Sequence, residues 1–326
     1  MATQALGAGG MAVEARTFYE MQLLTRRIPD FWHNEFGMPV SIPRGNGINA
    51  SLRRFARPGA QTTALTEGTP PTALNPTVEQ VTLTVQQFGG YMLGSDILDW
   101  QAIDPIVTGY TQAFGDDLQD TRDLITRNII NAGTNTQYAG SATARTGLSS
   151  TAAALTFAEL REAASTLKRN DVKPVRKGLA AGKYAAIIHP DSVRDLLGDS
   201  NVTNVFQYAV NRGAAQGGEN PLQTGQLGDL IGFRFFETSN ATIRSSAGQS
   251  GADVYQLLLI GEEAYAHATL TAANSEVIFH GKGTSGINDP LNQAWSLGWK
   301  IAHTAAILDQ QRILSVEHVT SRKYAA

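Results

Sequence analysis

The chain has no cysteine, few charges, no lysine before position 168 and no long apolar run. Each absence excludes something. Without cysteine there are no disulfides and no thiolate metal sites. No stretch approaches the ~18 consecutive apolar residues of a membrane-spanning helix, so no membrane partner is expected. The first ten residues lack the basic start and apolar core of a secretory signal, and the expected place of synthesis is the cytosol. Charged residues make up 17%, against roughly 25% in soluble domains. The net charge of −3, from 26 basic and 29 acidic side chains, carries no basic footprint of a dedicated nucleic-acid binder. What is present is 326 residues, 42% of them apolar, and 32 glycines. That is enough for one large or two ordinary domains. So little charge suits a protein whose outer faces are largely interfaces.

The most informative stretch is 42–100. Ile48–Phe55 alternates loosely, and Thr77–Tyr91 places Val81, Leu83 and Val85 on one face with Gln80, Thr82, Thr84 and Gln86 on the other. That two-residue period is the mark of a half-buried strand. Between the limbs stand four prolines and two glycines, which forbid regular pairing. A connection of about twenty residues is far longer than a hairpin needs and is normally functional. An isolated two-stranded ribbon is marginal in water, so this one is expected to be covered by a neighbouring copy of the chain.

Elsewhere the spacing predicts a helix over 12–27, ended by Ile28-Pro29, and an aromatic segment (Phe31, Trp32, Phe36) that must lie on something apolar. Asp104-Pro105 opens the longest helical pattern, 104–133, roughly 40 Å of rod, with Asp116, Asp117, Asp120 and Asp123 along its middle. Residues 133–151 read as an exposed linker or loop. Thr156-Phe157-Ala158-Glu159 is a capping box. Tyr184–Ile188, Phe233–Glu237, Val254–Ile260 and Glu276–His280 read as strands, Ser192–Leu197 and Val202–Asn211 as helices, and Glu262–Ala268 as a short helix. The end, Asn292–His303 and Arg312–Thr320, alternates like an antiparallel pair. The fold class is mixed α+β.

Motifs of chemistry fail one by one. Gly281-Lys282-Gly283-Thr284-Ser285-Gly286 matches the dinucleotide glycine pattern, but Ile287-Asn288-Asp289-Pro290 follows where the phosphate-facing helix must begin. A glycine-rich turn is the better reading, and a nucleotide-dependent enzyme is only a remote alternative. Gly178–Tyr184 resembles a phosphate loop but is one residue short, has Tyr184 in place of the magnesium-holding hydroxyl, and precedes a strand. The six histidines have no pair three or four residues apart to build a metal face. The four aspartates lack the glycine turn of a calcium loop. No catalytic residue, cofactor or metal is expected.

Thr63-Ala64-Leu65-Thr66-Glu67-Gly68, the strand Val81–Tyr91 with its Gln-Phe-Gly-Gly-Tyr, Ile188-His189-Pro190-Asp191 before a short helix, and Ser296-Leu297-Gly298-Trp299-Lys300 carry a resemblance. Together, over about residues 16–322, they resemble the major capsid protein family of N4-like tailed phages, which has the Hong Kong 97-type fold. The resemblance implies an N-terminal arm (1–41), an E-loop hairpin with flanking strands (42–100), a peripheral domain (101–154) with a spine helix (104–133), an axial domain (155–280) and C-terminal strands (281–326) returning to the peripheral domain. It implies a structural shell protein that assembles with itself as hexamers and pentamers, with a portal protein at one vertex, separate scaffolding and decoration proteins, and only weak non-specific contact with packaged DNA. An encapsulin-like compartment shell of the same fold is the alternative. Some relatives join an E-loop lysine to a neighbour's asparagine, but 42–100 has no lysine, so a non-covalent shell is expected. The inter-subunit contacts expected are Arg44, Arg53, Arg54 and Arg57 of the hairpin stem over Asp116, Asp117, Asp120 and Asp123 of a neighbouring spine helix, with Glu67 of the hairpin and Phe31 and Trp32 of the arm also at the interface.

Overall fold

The computed structural model describes residues 28–68, 70–101, 106–149, 153–205, 228–271, 275–284 and 290–321. The helix expected over 12–27, the Asp104-Pro105 cap, most of Val202–Asn211 and the end of the Gly281–Gly286 run lie outside the described residues. The first half of the chain runs β1 (Met38–Ile42), β2 (Asn49–Phe55), β3 (Val78–Thr84), β4 (Gln86–Ser95), α1 (Asp96–Gln101), α2 (Ile106–Ile130), β5 (Thr136–Tyr138) and α3 (Phe157–Arg169). The second half runs β6 (Tyr184–Ile188), α4 (Pro190–Leu197), β7 (Asp229–Leu230), β8 (Phe233–Glu237), β9 (Ile243–Arg244), β10 (Val254–Ile260), β11 (Tyr265–Leu270), β12 (Glu276–His280), β13 (Ala294–Ile307) and β14 (Ile313–Val319).

One sheet is built on β13. Its 14 residues are long enough to pair with β4 over 294–303, with β12 over 296–300 and with β11 over 303–307. Strand β1 adds in parallel beyond β11. Alternation along β13 sends Trp295, Leu297, Trp299 and Ile301 to one face, where Leu118 and Phe114 of α2 pack on Trp299 and Ile301. The other face carries Ser296, Gly298 and the exposed Lys300. Gly89 of β4 is a point of close approach: a Cβ there would stand 2.5 Å from the Trp299 carbonyl oxygen and 3.3 Å from Lys300 Cα. Backbone cannot retreat as a side chain can. Gly89→Ala is therefore expected to lower stability by ~1–3 kcal/mol. Gly90→Ala, whose nearest neighbour would be Trp299 Nε1 at an ordinary 3.5 Å, should cost far less. Urea midpoints of the two variants check this, and equal midpoints would refute it.

The second sheet has the order β5-β14-β10-β6-β8-β7, with β9 beside β10. Its central strands are buried at every position, as continuous apolar runs covered on both faces must be. Leu160, Ala164 and Leu167 of α3 and Val193 and Leu196 of α4 cover one face. Ile130 at the end of α2, Phe36 and Trp32 cover the other. Half of the capping box is formed: Thr156 Oγ1 accepts from the Glu159 backbone N–H at 3.5 Å, while the Glu159 carboxylate accepts instead from Gln137 Nε2 and the Gly140 N–H, both at 2.9 Å. The aromatic segment does rest on apolar surface, with Trp32 and Phe36 rings 5.0 and 4.7 Å from that of Phe236.

Four expectations are corrected. Thr77–Tyr91 is not one strand: it breaks at Val85, and β4 leaves the ribbon to join β13. Residues 133–149 are not an exposed linker or loop throughout, since β5 pairs in parallel with β14 and Ala139 and Leu148 are fully buried. Glu262–Ala268 is not a helix. Its second half enters β11, where ladders to β1 and β13 on either side outweigh local helix propensity. The last two strands do not pair with each other: β13 lies in the first sheet and β14 in the second. Each alternates because its own sheet has two faces, a pattern that does not name the partner. The expected boundary at 280 is crossed in both directions, by β11 and β12 joining the first sheet and β14 joining the second.

Candidate functional site

The hairpin is a two-stranded ladder, β2 on β3, in register from Asn49↔Thr84 to Phe55↔Val78. Its two faces have different fates. Leu83 and Val85 are buried with Ile42, Ala266, Ala268 and Ala302, and Ala50 and Leu52 pack against them, so the ribbon's base is covered by its own chain. This corrects the expectation that nothing in the chain covers it. Among the described residues nothing covers the opposite face and the tip. Phe55 is 78% and Leu65 75% exposed, and Leu74 and Val78 are half exposed.

The arginines separate accordingly. Arg54, on the packed face, donates through Nε to Glu79 Oε2 at 3.1 Å, through Nη2 to the same oxygen, and through Nη1 to Asp309 Oδ2 at 2.5 Å. The hydrogen bond to Glu79, then that to Asp309, holds its pKa above the ordinary arginine value. Arg54 thus braces the hairpin within one chain. Arg44, Arg53 and Arg57 are exposed, with no ion pair among the described residues. Glu67 is exposed at the tip.

The four aspartates of α2 do not form one solvated flank. Asp117 is exposed and accepts from Trp299 Nε1 at 2.8 Å. Asp120 is half-buried and accepts from Asn240 Nδ2 at 2.6 Å, and Asp116 is half-buried. Asp123 is 1% exposed and holds His33 twice, by the His33 backbone N–H at Oδ1 and ring Nδ1 at Oδ2, both 2.8 Å. Asp123 is therefore withdrawn from the surface facing a neighbour, because a carboxylate this buried keeps its own partner. Trp32 is also used internally, its indole N–H donating to the Glu237 carbonyl at 3.0 Å. Phe31 stands half-buried beside it. Sequence reading missed the His33–Asp123 clamp. The only signal was a histidine inside an aromatic run.

The motifs set aside fit turns. Gly281 accepts from Thr284 N at 3.4 Å and Gly283 has φ +85°. Gly178 and Gly182, with φ +82° and +79°, turn the chain into β6. Among the described residues no group of three or more histidines, carboxylates or cysteines stands close enough to hold a metal ion, and no helix is long and apolar enough to cross a membrane.

Two sheets joined by a long helix, with a ribbon thrown out from one of them, are the Hong Kong 97-type architecture. The capsid of Ralstonia phage GP4 superposes with a TM-score of 0.70 over 100% of both chains at 13% identity. The capsid of cyanophage P-SCSP1u gives 0.70 over 94% of both chains, also at 13% identity, and that of cyanophage Pam1 gives 0.67 over 97% of this chain and 100% of the other at 14%. At such identities the likeness shows the fold, that of a shell subunit. No curated protein matches the sequence. The phage capsid protein family, however, matches residues 125–287, half of the chain. The chain belongs to the phage capsid protein family and is a structural protein of the virion capsid, not an enzyme.

Proposed function

We propose that this chain is the major capsid protein of an N4-like tailed double-stranded DNA phage, made in the host bacterial cytoplasm and building hexamers and pentamers of an icosahedral shell without covalent cross-links. One observation carries this reading: residues 55–78 bear four large apolar side chains, Phe55, Leu65, Leu74 and Val78, left exposed by the described residues of the same chain. A closed shell supplies that cover through repeated heterologous contacts. On this reading residues 42–100 are the E-loop with its flanking strands, α2 is the spine of a peripheral domain that includes the first sheet, and the second sheet with α3 and α4 is the axial domain. Arg44, Arg53 and Arg57 meet Asp116, Asp117 and Asp120 of a neighbour, and Glu67 lies in the same interface at the tip. Each such half-solvated pair is worth ~0.2–1 kcal/mol and sets register more than strength. Arg54 stays at home. A portal protein, separate scaffolding and decoration proteins complete the partner set, and packaged DNA is held back from a weakly acidic wall.

Negative-stain microscopy of the purified protein, with a denaturing gel of the same sample, tests this. Closed particles that dissolve to single chains are expected. A compact monomer at high concentration would refute the shell, and a ladder of cross-linked chains would refute the non-covalent bonding. Particles filled with enzyme cargo and free of nucleic acid would point instead to a compartment of the same fold.

A further inference from the structure

Below residues 30–37 stands an imidazole pair, His303 buried and His267 half-buried, that nothing above uses. His267 of β11 and His303 of β13 are diagonal neighbours on one face of the first sheet, their rings 6.1 Å apart. The Nδ1 atom of each is buried without a hydrogen-bond partner among the described residues. The segment lies directly on them. A Cβ on Gly37 would fall 2.9 Å from His267 Nδ1. His303 Nε2 meets Thr126 Oγ1 at 2.9 Å, and the Asn34 amide reaches that hydroxyl at 3.4 Å. The same segment is tied down by the His33–Asp123 clamp, by Tyr265 Oη donating to the His33 carbonyl at 2.5 Å and by Thr238 Oγ1 donating to the Asp30 carbonyl at 2.6 Å.

We propose that this pair is an acid-released latch: with both imidazoles neutral, residues 30–37 are seated on α2 and the first sheet, and with both protonated the segment is expelled while the second sheet stays folded. The surroundings cannot absorb two new charges. The nearest cation is Arg122 of α2, held to the Asn34 side-chain oxygen at 2.6 Å. Both oxygens of Asp123 are occupied by His33. Asp120 and Arg127 are both engaged with Asn240, Glu237 is held partly protonation-prone by its own burial, and Glu35 is exposed to solvent. Tyr265, driven up by burial, carries no charge to offer.

Burial holds each imidazole down at about 4, helped by Arg122 at His267 and by His267 and Arg122 at His303. The sign follows from linkage. Released histidines bind protons near their ordinary 6.5, so the seated state is at full strength above that pH and weakens as pH falls toward 4. Two protons give up to about a hundredfold per pH unit. His318, also held at about 4 by burial, is bonded to Ser192 Oγ at 2.7 Å and has Asp195 as well as His189 among its charged neighbours.

Hydrogen–deuterium exchange of the full chain, corrected for the intrinsic effect of pH, tests the latch. Protection over 29–37 should fall at least about a hundredfold between pH 6.5 and 4.5, with β6 and β10 still protected. Unchanged protection down to pH 4, or loss in step with β6 and β10, would overturn it. In a His267→Gln/His303→Gln variant, folded at pH 7 by circular dichroism, the segment should stay protected at pH 4.5. Opening at the parent's pH would sink the histidine trigger. If that variant fails to fold, the exchange profile of the parent chain decides.

Discussion

Replacing residues 57–76 by a two-residue Asn-Gly turn is expected to leave a folded chain that no longer forms particles. The ladder already closes tightly at this end, where the Ala56 N–H donates to the Thr77 carbonyl at 2.9 Å, and an Asn-Gly pair matches the twist of two strands so spaced. The ribbon's base keeps its cover, because Leu83, Val85 and Leu52 lie below the cut. Shortening the loop also lowers its closure entropy, by about 0.6 kcal/mol for each halving, so stability should hold or rise. What disappears is Leu65, Leu74, Arg57 and Glu67, the portion reaching beyond its own body. Thermal unfolding and negative-stain microscopy of the same preparation separate the outcomes. Particles of normal yield from the shortened chain would remove the hairpin from the assembly mechanism.

The second large effect lies at Glu317. This carboxylate sits mid-strand in β14, 1% exposed, and is gripped by Arg145 through Nε and Nη2, both at 2.7 Å. That hydrogen bond is the main reason Arg145 is held above the ordinary arginine value. Arg244 Nε, at 3.6 Å, is the next cation. Arg145→Ala would leave a buried carboxylate facing only that distant partner, a change worth ~3–5 kcal/mol. It would also free the turn whose Leu148 is fully buried. Adding Glu317→Met should return most of the loss, since an apolar side chain of similar volume has no charge to desolvate. Urea unfolding of the two variants decides it. A loss below ~1 kcal/mol for Arg145→Ala, or no recovery in the double variant, would show that the pair is not what fixes this turn.

The grip on Glu317 was invisible in the sequence, as was that on Asp123. His33 and Asp123 are 90 residues apart, and Arg145 and Glu317 are 172 apart. Nothing in the local pattern of α2 distinguishes Asp123 from Asp117, three of whose neighbours are also acidic or polar. The arginines of the hairpin posed the same problem. Arg53 and Arg54 are adjacent and chemically equal, yet the pleat turns one to solvent and the other onto Glu79 and Asp309.

The sequence by itself determined the kinds of element and most of their places: the capped helix after Thr156, the buried runs of β6 and β10, the long helix with its acidic stretch, and a ribbon with a lysine-free tip. These follow from periodicity, capping chemistry and turn residues, which act over a few positions. Only the tertiary structure decided which strands pair, which face of the ribbon is covered, which aspartate is buried, and that His267 and His303 stand side by side under residues 30–37. Those outcomes depend on elements arriving from far along the chain, and a side chain's burial and charge are set by what arrives, not by its neighbours in sequence.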